Sequence, residues 1–302
     1  MTIIRDEILS RQANLDKIAG QYLSLKTFHG VLAKIIAIIN NPASSAKHLA
    51  EVIQSDPALA SRVLTIVNSP LYALSQQVTN LSHAIALLGF NEMRHIAMGV
   101  SFFDAFSIGE RIHLVRLWKH SIYCAKLAEL LATQSRYLVD EAFTVGLLHD
   151  IGMILLLSYS NRVFVTTLYN YKFQKGQVTF PESEEKMLGL NHTHIGAYAS
   201  MKWNFPGIIT ETILCHHNLR LSDKFAQPTQ YLTRVLFLAD QLCKIMGVAS
   251  VEHVERHTVE DLLAAEEIYS QAGLDREKLE LALARIDPVM QEAEKFFSLL
   301  GR

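Results

Sequence analysis

Residues 143–157, Phe-Thr-Val-Gly-Leu-Leu-His-Asp-Ile-Gly-Met-Ile-Leu-Leu-Leu, place an imidazole and a carboxylate side by side in an otherwise apolar run. A carboxylate packed among Leu, Ile and Met loses its hydration, a large penalty unless a cation or strong donors meet it. The neighbouring imidazole needs a partner as well. A bound metal ion satisfies both His149 and Asp150 at once, whereas a polar pair at a helix surface or a satisfied core hydrogen bond is the commoner outcome for a lone His-Asp dipeptide. Whatever fold this chain adopts has to bury the segment and still neutralise Asp150.

The rest of the chain supplies the means. Half of its 302 residues are apolar, enough for a substantial core in one large or two moderate domains. Periodicity is helical nearly throughout, with no alternating strand series, so the class is all-α. Asp56-Pro57 reads as a helix start, Asn80 or Ser82 as another, with Gly89 as a stop and Asn91 as the cap of the next helix. Asp140 is the expected cap of the helix bearing His149 and Asp150. Lys172 to Pro181 reads as a loop. From Val251 to Arg302 there are 12 Asp/Glu against 6 Lys/Arg, a net of −6 that leaves +4 on residues 1–250 of a chain whose total is −2. Thr258, Asp275 and Asp287-Pro288 mark helices in this acidic tail, whose expected buried positions are Leu262, Leu263, Leu279, Leu283, Phe296 and Leu300. A composition shift near Gly247 to Ser250 sets 248–302, an acidic helical extension, apart from 1–115, a helical N-terminal part, and 116–247, a helical core.

Several function classes find no support in these residues. There is no Lys/Arg-rich run with interleaved aromatics to form a phosphate-backbone footprint, so nucleic acid is not an expected partner. Uninterrupted apolar runs such as Ile151 to Leu157 are short of the roughly 20 residues that span a bilayer. Met1 to Glu7 already carries Arg5, Asp6 and Glu7, so secretion is not indicated and a cytoplasmic location is expected. Cys124, Cys215 and Cys243 are odd in number and lack Cys-x-x-Cys spacing, as reduced core thiols would. Neither a Gly-x-Ser-x-Gly elbow nor a Gly-rich phosphate loop occurs.

The pattern of ligand types inside apolar helical sequence recurs at other places. His120 lies in Leu-Trp-Lys-His-Ser-Ile-Tyr-Cys, and Asp240 in Val-Leu-Phe-Leu-Ala-Asp-Gln-Leu; His194 follows His192-Thr193, and His216-His217 follow Ile213-Leu214-Cys215. Any of these alone is more often a core or surface histidine. Together they form a set suited to a borderline divalent metal, with a carboxylate able to bridge two ions about 3.5–4 Å apart.

His120, then His149-Asp150, then Asp240 resembles the H…HD…D signature of the HD superfamily of metal-dependent phosphohydrolases. His194 with His216-His217 extends the likeness to its binuclear, HD-GYP-like members. Upstream, Asp56-Pro57-Ala58-Leu59-Ala60 through Asn68-Ser69-Pro70-Leu71-Tyr72 and Ser82-His83-Ala84-Ile85-Ala86-Leu87-Leu88-Gly89 is similar to the HDOD domain, the HD-related output domain of bacterial signalling proteins. The likeness covers roughly residues 20–245.

This resemblance implies an HD-type helical bundle with an N-terminal helical subdomain. It also implies one or two iron, manganese or zinc ions held by His120, His149, Asp150, His194, His216, His217 and Asp240. Two departures bear on activity. Active HD-GYP phosphodiesterases place a phosphate-binding Lys where this chain has Met153, and a Glu with a Gly-Tyr-Pro segment where it reads Asn218 to Asp223; Arg116 stands where a third-metal Glu occurs in some relatives. The expected function is therefore an HDOD-type signalling regulator working through a protein partner. The alternative is a metal-dependent phosphohydrolase on an unidentified phosphoester or nucleotide, in which two cations polarise the phosphate and acidify water so that no nucleophilic side chain is required.

Overall fold

The computed structural model describes residues 2–23, 31–39, 41, 43–106, 112–251 and 258–301, and every regular element among them is an α-helix. The N-terminal set is α1 (Thr2–Leu9), α2 (Gln12–Leu23), α3 (Val31–Ile39), α4 (Ala46–Gln54), α5 (Pro57–Val67), α6 (Leu81–Leu88) and α7 (Phe90–Phe106). The central set is α8 (Ile112–Ser135), α9 (Val139–Leu148), α10 (Ile151–Tyr159), α11 (Asn161–Phe173), α12 (Phe180–Leu188), α13 (His192–Lys202), α14 (Gly207–Cys215), α15 (Leu219–Ser222) and α16 (Gln227–Ile245). The chain closes with α17 (Val259–Ala264), α18 (Glu266–Gln271), α19 (Arg276–Leu283) and α20 (Ile286–Leu300).

Local chemistry accounts for most of the boundaries. Asp56 accepts hydrogen bonds from the amides of Ala58 and Leu59 at 2.9 and 3.1 Å while Pro57 fills the first turn of α5. Asn80 caps α6 through the His83 amide, and Gly89, at φ +86°, ends it. Thr258 and Asp261 close a reciprocal capping box on α17, and Asp275 caps α19 through the Lys278 amide. Three expected caps differ, the first being Asp287, which lies in the first turn of α20 because that helix already begins at Ile286 after Arg285. Asn91 lies inside α7, which begins a residue earlier. Asp140 lies in the first turn of α9 rather than before it, because Leu138 takes the cap position in a left-handed conformation and the Asp140 carboxylate pairs with Arg94 at 3.0 Å.

α8 is the axis of the molecule: α9, α16, α19 and α20 all pack along it, while α2 lies across α10 and α13. Of the tail positions, Leu262, Leu279, Phe296 and Leu300 are buried, and Leu263 and Leu283 are packed against the core at its edge. Val139–Tyr159 is long and apolar enough by composition to cross a membrane, yet 89% of its best window is buried inside the fold. Its two helices sit at the centre of the core.

The dyad marks the break between them. α9 ends at Leu148 and α10 begins at Ile151, so His149 and Asp150 form the corner, with the Asp150 carbonyl accepting from the Met153 amide at 2.9 Å. Two glycines flank this corner and let it approach its neighbours. A Cβ at Gly146 would stand 2.5 Å from the Ala125 Cα of α8, and one at Gly152 would stand 2.0 Å from the His192 carbonyl oxygen of α13. Both obstacles are backbone, so neither contact can yield by a side-chain rotation.

Gly152→Ala should therefore destabilise the protein by more than about 2 kcal/mol in chemical denaturation, because α10 and α13 must separate. Gly20→Ala on α2, where a new Cβ meets nothing within 4 Å, should instead stabilise it by about 0.5–1 kcal/mol. Equal effects of the two substitutions would refute the close-crossing account.

Candidate metal centre

Four buried histidines converge on the corner, and each is held by a hydrogen bond from its outer ring nitrogen. The Nδ1–H of His149 donates to the Gly146 carbonyl at 2.8 Å, that of His216 to the Ile213 carbonyl at 2.7 Å and that of His120 to the Val248 carbonyl at 2.8 Å. His192 Nδ1 meets the fully buried Glu184 carboxylate at 2.5 Å. Anchoring Nδ1 in this way fixes the tautomer and leaves each Nε2 lone pair pointing inward, the second-sphere arrangement that orients imidazole ligands on metals.

The inward atoms fall into two sets joined by one residue. In the first, His120 Nε2 is 3.1 Å from His149 Nε2 and 3.5 Å from Asp240 Oδ1, and Asp150 Oδ2 lies 3.4 and 3.7 Å from the His149 and His120 nitrogens. In the second, Asp150 Oδ1 is 3.5 Å from His192 Nε2 and 3.7 Å from His216 Nε2, with 3.4 Å between those nitrogens. His217, at the solvent edge, brings a ring nitrogen within 4.8 Å of all three. Atoms bound 2.0–2.2 Å from a tetrahedral ion stand roughly 3.3–3.6 Å apart, and the 3.1–3.7 Å separations above lie close to that. The Asp150 carboxylate offers one oxygen to each set.

Electrostatics point the same way. Burial disfavours an ionised carboxylate, yet His149, His216 and His192 outweigh it and hold Asp150 well below the usual carboxylate range. Asp240 is held at about 2, because Lys244 and His120 overcome its burial. In turn the two carboxylates raise His120, Asp150 raises His149, and Glu184 raises His192, in each case against the effect of burial. Burial draws His216 down to about 4. The pocket thus holds ionised carboxylates that require positive charge nearby, supplied either by protons on the imidazoles or by metal.

The structure brings together His120, His149, Asp150, His216, His217 and Asp240. It places His192, not His194, in the cluster. Residues two apart on a helix point about 200° apart, so only one of this pair can face inward. Asn191 caps α13, which puts His194 at the third helical position, where its Nδ1 accepts from the Asn191 amide at 3.2 Å and its Nε2 faces Glu7 at 3.7 Å. That Asn-x-x-His box is visible in the sequence and is the signal that separates the two. Glu184, eight residues ahead of His192, carries no such signal. The Cys124 sulfur also lies within 4.8 Å of donor nitrogens of His120 and His149, but burial pushes its thiol well above the ordinary range and keeps it protonated. All three cysteines are free and buried.

Beside the cluster opens a cavity of about 250 Å³, small against the roughly 300–1,000 Å³ of typical ligand pockets. Met153, Tyr171, Val178 and Phe180 form its apolar wall, and Asp150, Asp240, His217 and Lys244 its polar one.

Comparison with known proteins gives the family. The HDOD domain model matches residues 25–219. An uncharacterised protein of Treponema pallidum (strain Nichols) is 24% identical over 192 residues, covering 62% of this chain and 36% of that protein. The uncharacterised protein YuxH of Bacillus subtilis (strain 168) is 36% identical over 91 residues, covering 30% of this chain and 22% of its own. The chain therefore spans little more than a third, at most, of these curated relatives. Among solved structures, an HDOD domain protein of unknown function from Geobacter sulfurreducens superposes with a TM-score of 0.74 at 22% identity, covering 88% of this chain and 91% of that one. A protein of Shewanella amazonensis SB2B described as a candidate phosphohydrolase gives 0.72 at 22%, covering 94% and 98%. A candidate signal-transduction protein of Marinobacter aquaeolei VT8 gives 0.71 at 25%, covering 92% and 58%.

Two measurements follow from this geometry. His192→Ala should lower the transition-metal content of the purified protein, whereas His194→Ala should leave it unchanged; elemental analysis decides, and the reverse pattern would overturn the assignment of His192. Because metal must displace protons from His120, His149 and His192, all raised above the ordinary imidazole value, affinity should fall on acidification beginning above about pH 6.5. Titrations with Mn²⁺ or Zn²⁺ at pH 8, 7 and 6 should show successive weakening, and a flat profile would contradict proton displacement.

Proposed function

The chain belongs to the HDOD family, and on that premise we propose that it is a bacterial signalling regulator whose helical core is organised by one or two transition-metal ions and which acts by binding a protein partner. One observation carries the metal: the Asp150 carboxylate is buried with each oxygen facing a separate set of imidazole nitrogens. The ligands proposed are His120, His149, Asp150 and Asp240 for one ion, and Asp150, His192, His216 and His217 for the other. Iron, manganese and zinc suit this mixture of imidazole and carboxylate.

The choice of regulator over phosphodiesterase rests on Met153. Its side chain is 1% exposed and lines the wall of the cavity, so an apolar group occupies the place where a cation would meet a phosphate. Losing one charge of this kind typically costs on the order of 10²–10³ in rate. The signal-transduction description of the Marinobacter aquaeolei protein is in keeping with this reading.

The cavity itself favours a second reading, metal-dependent phosphoester hydrolysis, since a structural ion needs no open space beside it. When bound, the ions would supply Lewis acidity, and the chain's own residues would hold them and shape the cavity. One assay separates the two. The protein loaded in turn with iron, manganese and zinc should show negligible turnover of cyclic dinucleotides, nucleotides and an aryl phosphodiester. Metal-dependent hydrolysis that disappears in His149→Ala would overturn the regulator.

A further inference from the structure

His95 on α7 is a buried histidine outside the Asp150 cluster. It is 2% exposed, and neither of its ring nitrogens has a hydrogen-bond partner among the described residues. Phe143 stacks on the ring, with centroids 3.7 Å apart and 9° between the planes, which fixes the direction of the imidazole edge. Along that edge Nδ1 faces Glu129 Oε1 of α8 at 3.6 Å and Nε2 faces Asp140 Oδ1 of α9 at 3.8 Å, both beyond hydrogen-bond reach. Buried polar groups left in this state are uncommon and call for a cause.

Burial, reinforced by Lys126 and Arg94, holds the imidazole well below its ordinary value, so the ring is neutral. A neutral imidazole carries one N–H and one lone pair, so in either tautomer a lone pair points at a carboxylate oxygen. That contact is repulsive unless a cation lies between the two atoms. Glu92 completes the geometry, since one oxygen each from Glu92 and Glu129 and a nitrogen of His95 lie within 4.8 Å of one another.

Positive charge is in deficit here. Lys126 stands 3.5, 3.3 and 3.4 Å from the carboxylates of Glu92, Glu129 and Glu292 of α20, and Arg94 pairs with Asp140 at 3.0 Å. Four carboxylates therefore face two cations, which leaves two negative charges, the complement of one divalent ion. Burial raises Glu129 against the pull of Lys126. The Tyr72 hydroxyl donates to Glu92 and adds no charge, because burial raises it and keeps it protonated.

We propose that Glu92, His95 and Glu129 form a second metal site, separate from the Asp150 cluster, for a divalent ion of the Mn²⁺ or Zn²⁺ type. Two carboxylates and one imidazole suit such an ion. His95 meets it from the buried side through Nδ1, with Nε2–H turned toward Asp140, while Glu92 and Glu129 are half-buried and keep an edge to solvent through which a hydrated ion enters. The site shares no residue with the Asp150 cluster and does not rest on an ion there.

Equilibrium dialysis against Zn²⁺ at neutral pH, with Mn²⁺ as a second probe, followed by elemental analysis, counts the ions on the wild type and its variants. His95→Phe keeps a ring against Phe143 and removes the nitrogens; Glu92→Gln and Glu129→Gln keep shape and remove charge. Each should carry about one ion per chain fewer than the wild type while melting cooperatively in EDTA. Glu292→Gln, which touches Lys126 but lies outside the triad, should keep the full count. Undiminished metal in His95→Phe and Glu129→Gln would overturn the proposal, as would a wild type that takes up no ion. Loss of an ion from Glu292→Gln as well would overturn the assignment to this triad. Should His95→Phe fail to fold, the two Gln variants decide by the same criterion.

Discussion

The carboxylate of Asp150 is 2% exposed, at the corner between two apolar helices, and it stays ionised only because imidazoles surround it on both sides. Everything that makes this site possible follows from supplying that charge. Donors must come from α8, α13, α14 and α16 at once, so these helices have to meet around one point. Gly146 and Gly152 permit the meeting by removing the two Cβ atoms that would strike backbone of α8 and α13. The apolar content of 143–157 then serves a second purpose, since packing on every side excludes the water that would otherwise screen the charge.

Hydrogen bonds on the outer ring nitrogens turn this crowd of side chains into imidazoles whose Nε2 atoms face one another. Three of the four anchors on the histidine Nδ1 atoms are backbone carbonyls, two of them one turn earlier in the same stretch of chain, so ring orientation is built into the helix ends. The fourth anchor, Glu184, is a buried charge of its own and ties α12 to the centre through His192. Occupancy of the site should consequently be felt along several helices. α8 in particular carries His120 in the cluster and Lys126 in a network with Glu92 of α7 and Glu292 of α20, so one helix joins the cluster to the N-terminal and C-terminal helical sets.

Much of this protein was legible in the sequence because the causes are local. The helical class, the caps at Asp56, Asn80, Thr258 and Asp275, and the anomaly of a His-Asp pair in an apolar run all depend on a few neighbouring residues. Six of the seven residues singled out as ligands meet in space, since burying polar ligand types in core-like helices leaves few places for them except beside one another. The choice between His192 and His194 was within reach too, through the helical angle between them and the capping box that occupies His194.

Tertiary structure alone decided the rest. Whether His149 and Asp150 lie within one helix or at a corner depends on how α9 and α10 pack against α8 and α13, which no window of sequence contains. The pairing of Glu184 with His192, the division of the Asp150 oxygens between two donor sets, and the exposure of Lys244 to the cavity each join residues from different helices. Sequence determines which side chains are available and which local shapes they favour. Where a charge is balanced, and by what, is settled by distances of 3 to 4 Å between segments far apart in the chain, and those distances exist only once the helices have packed.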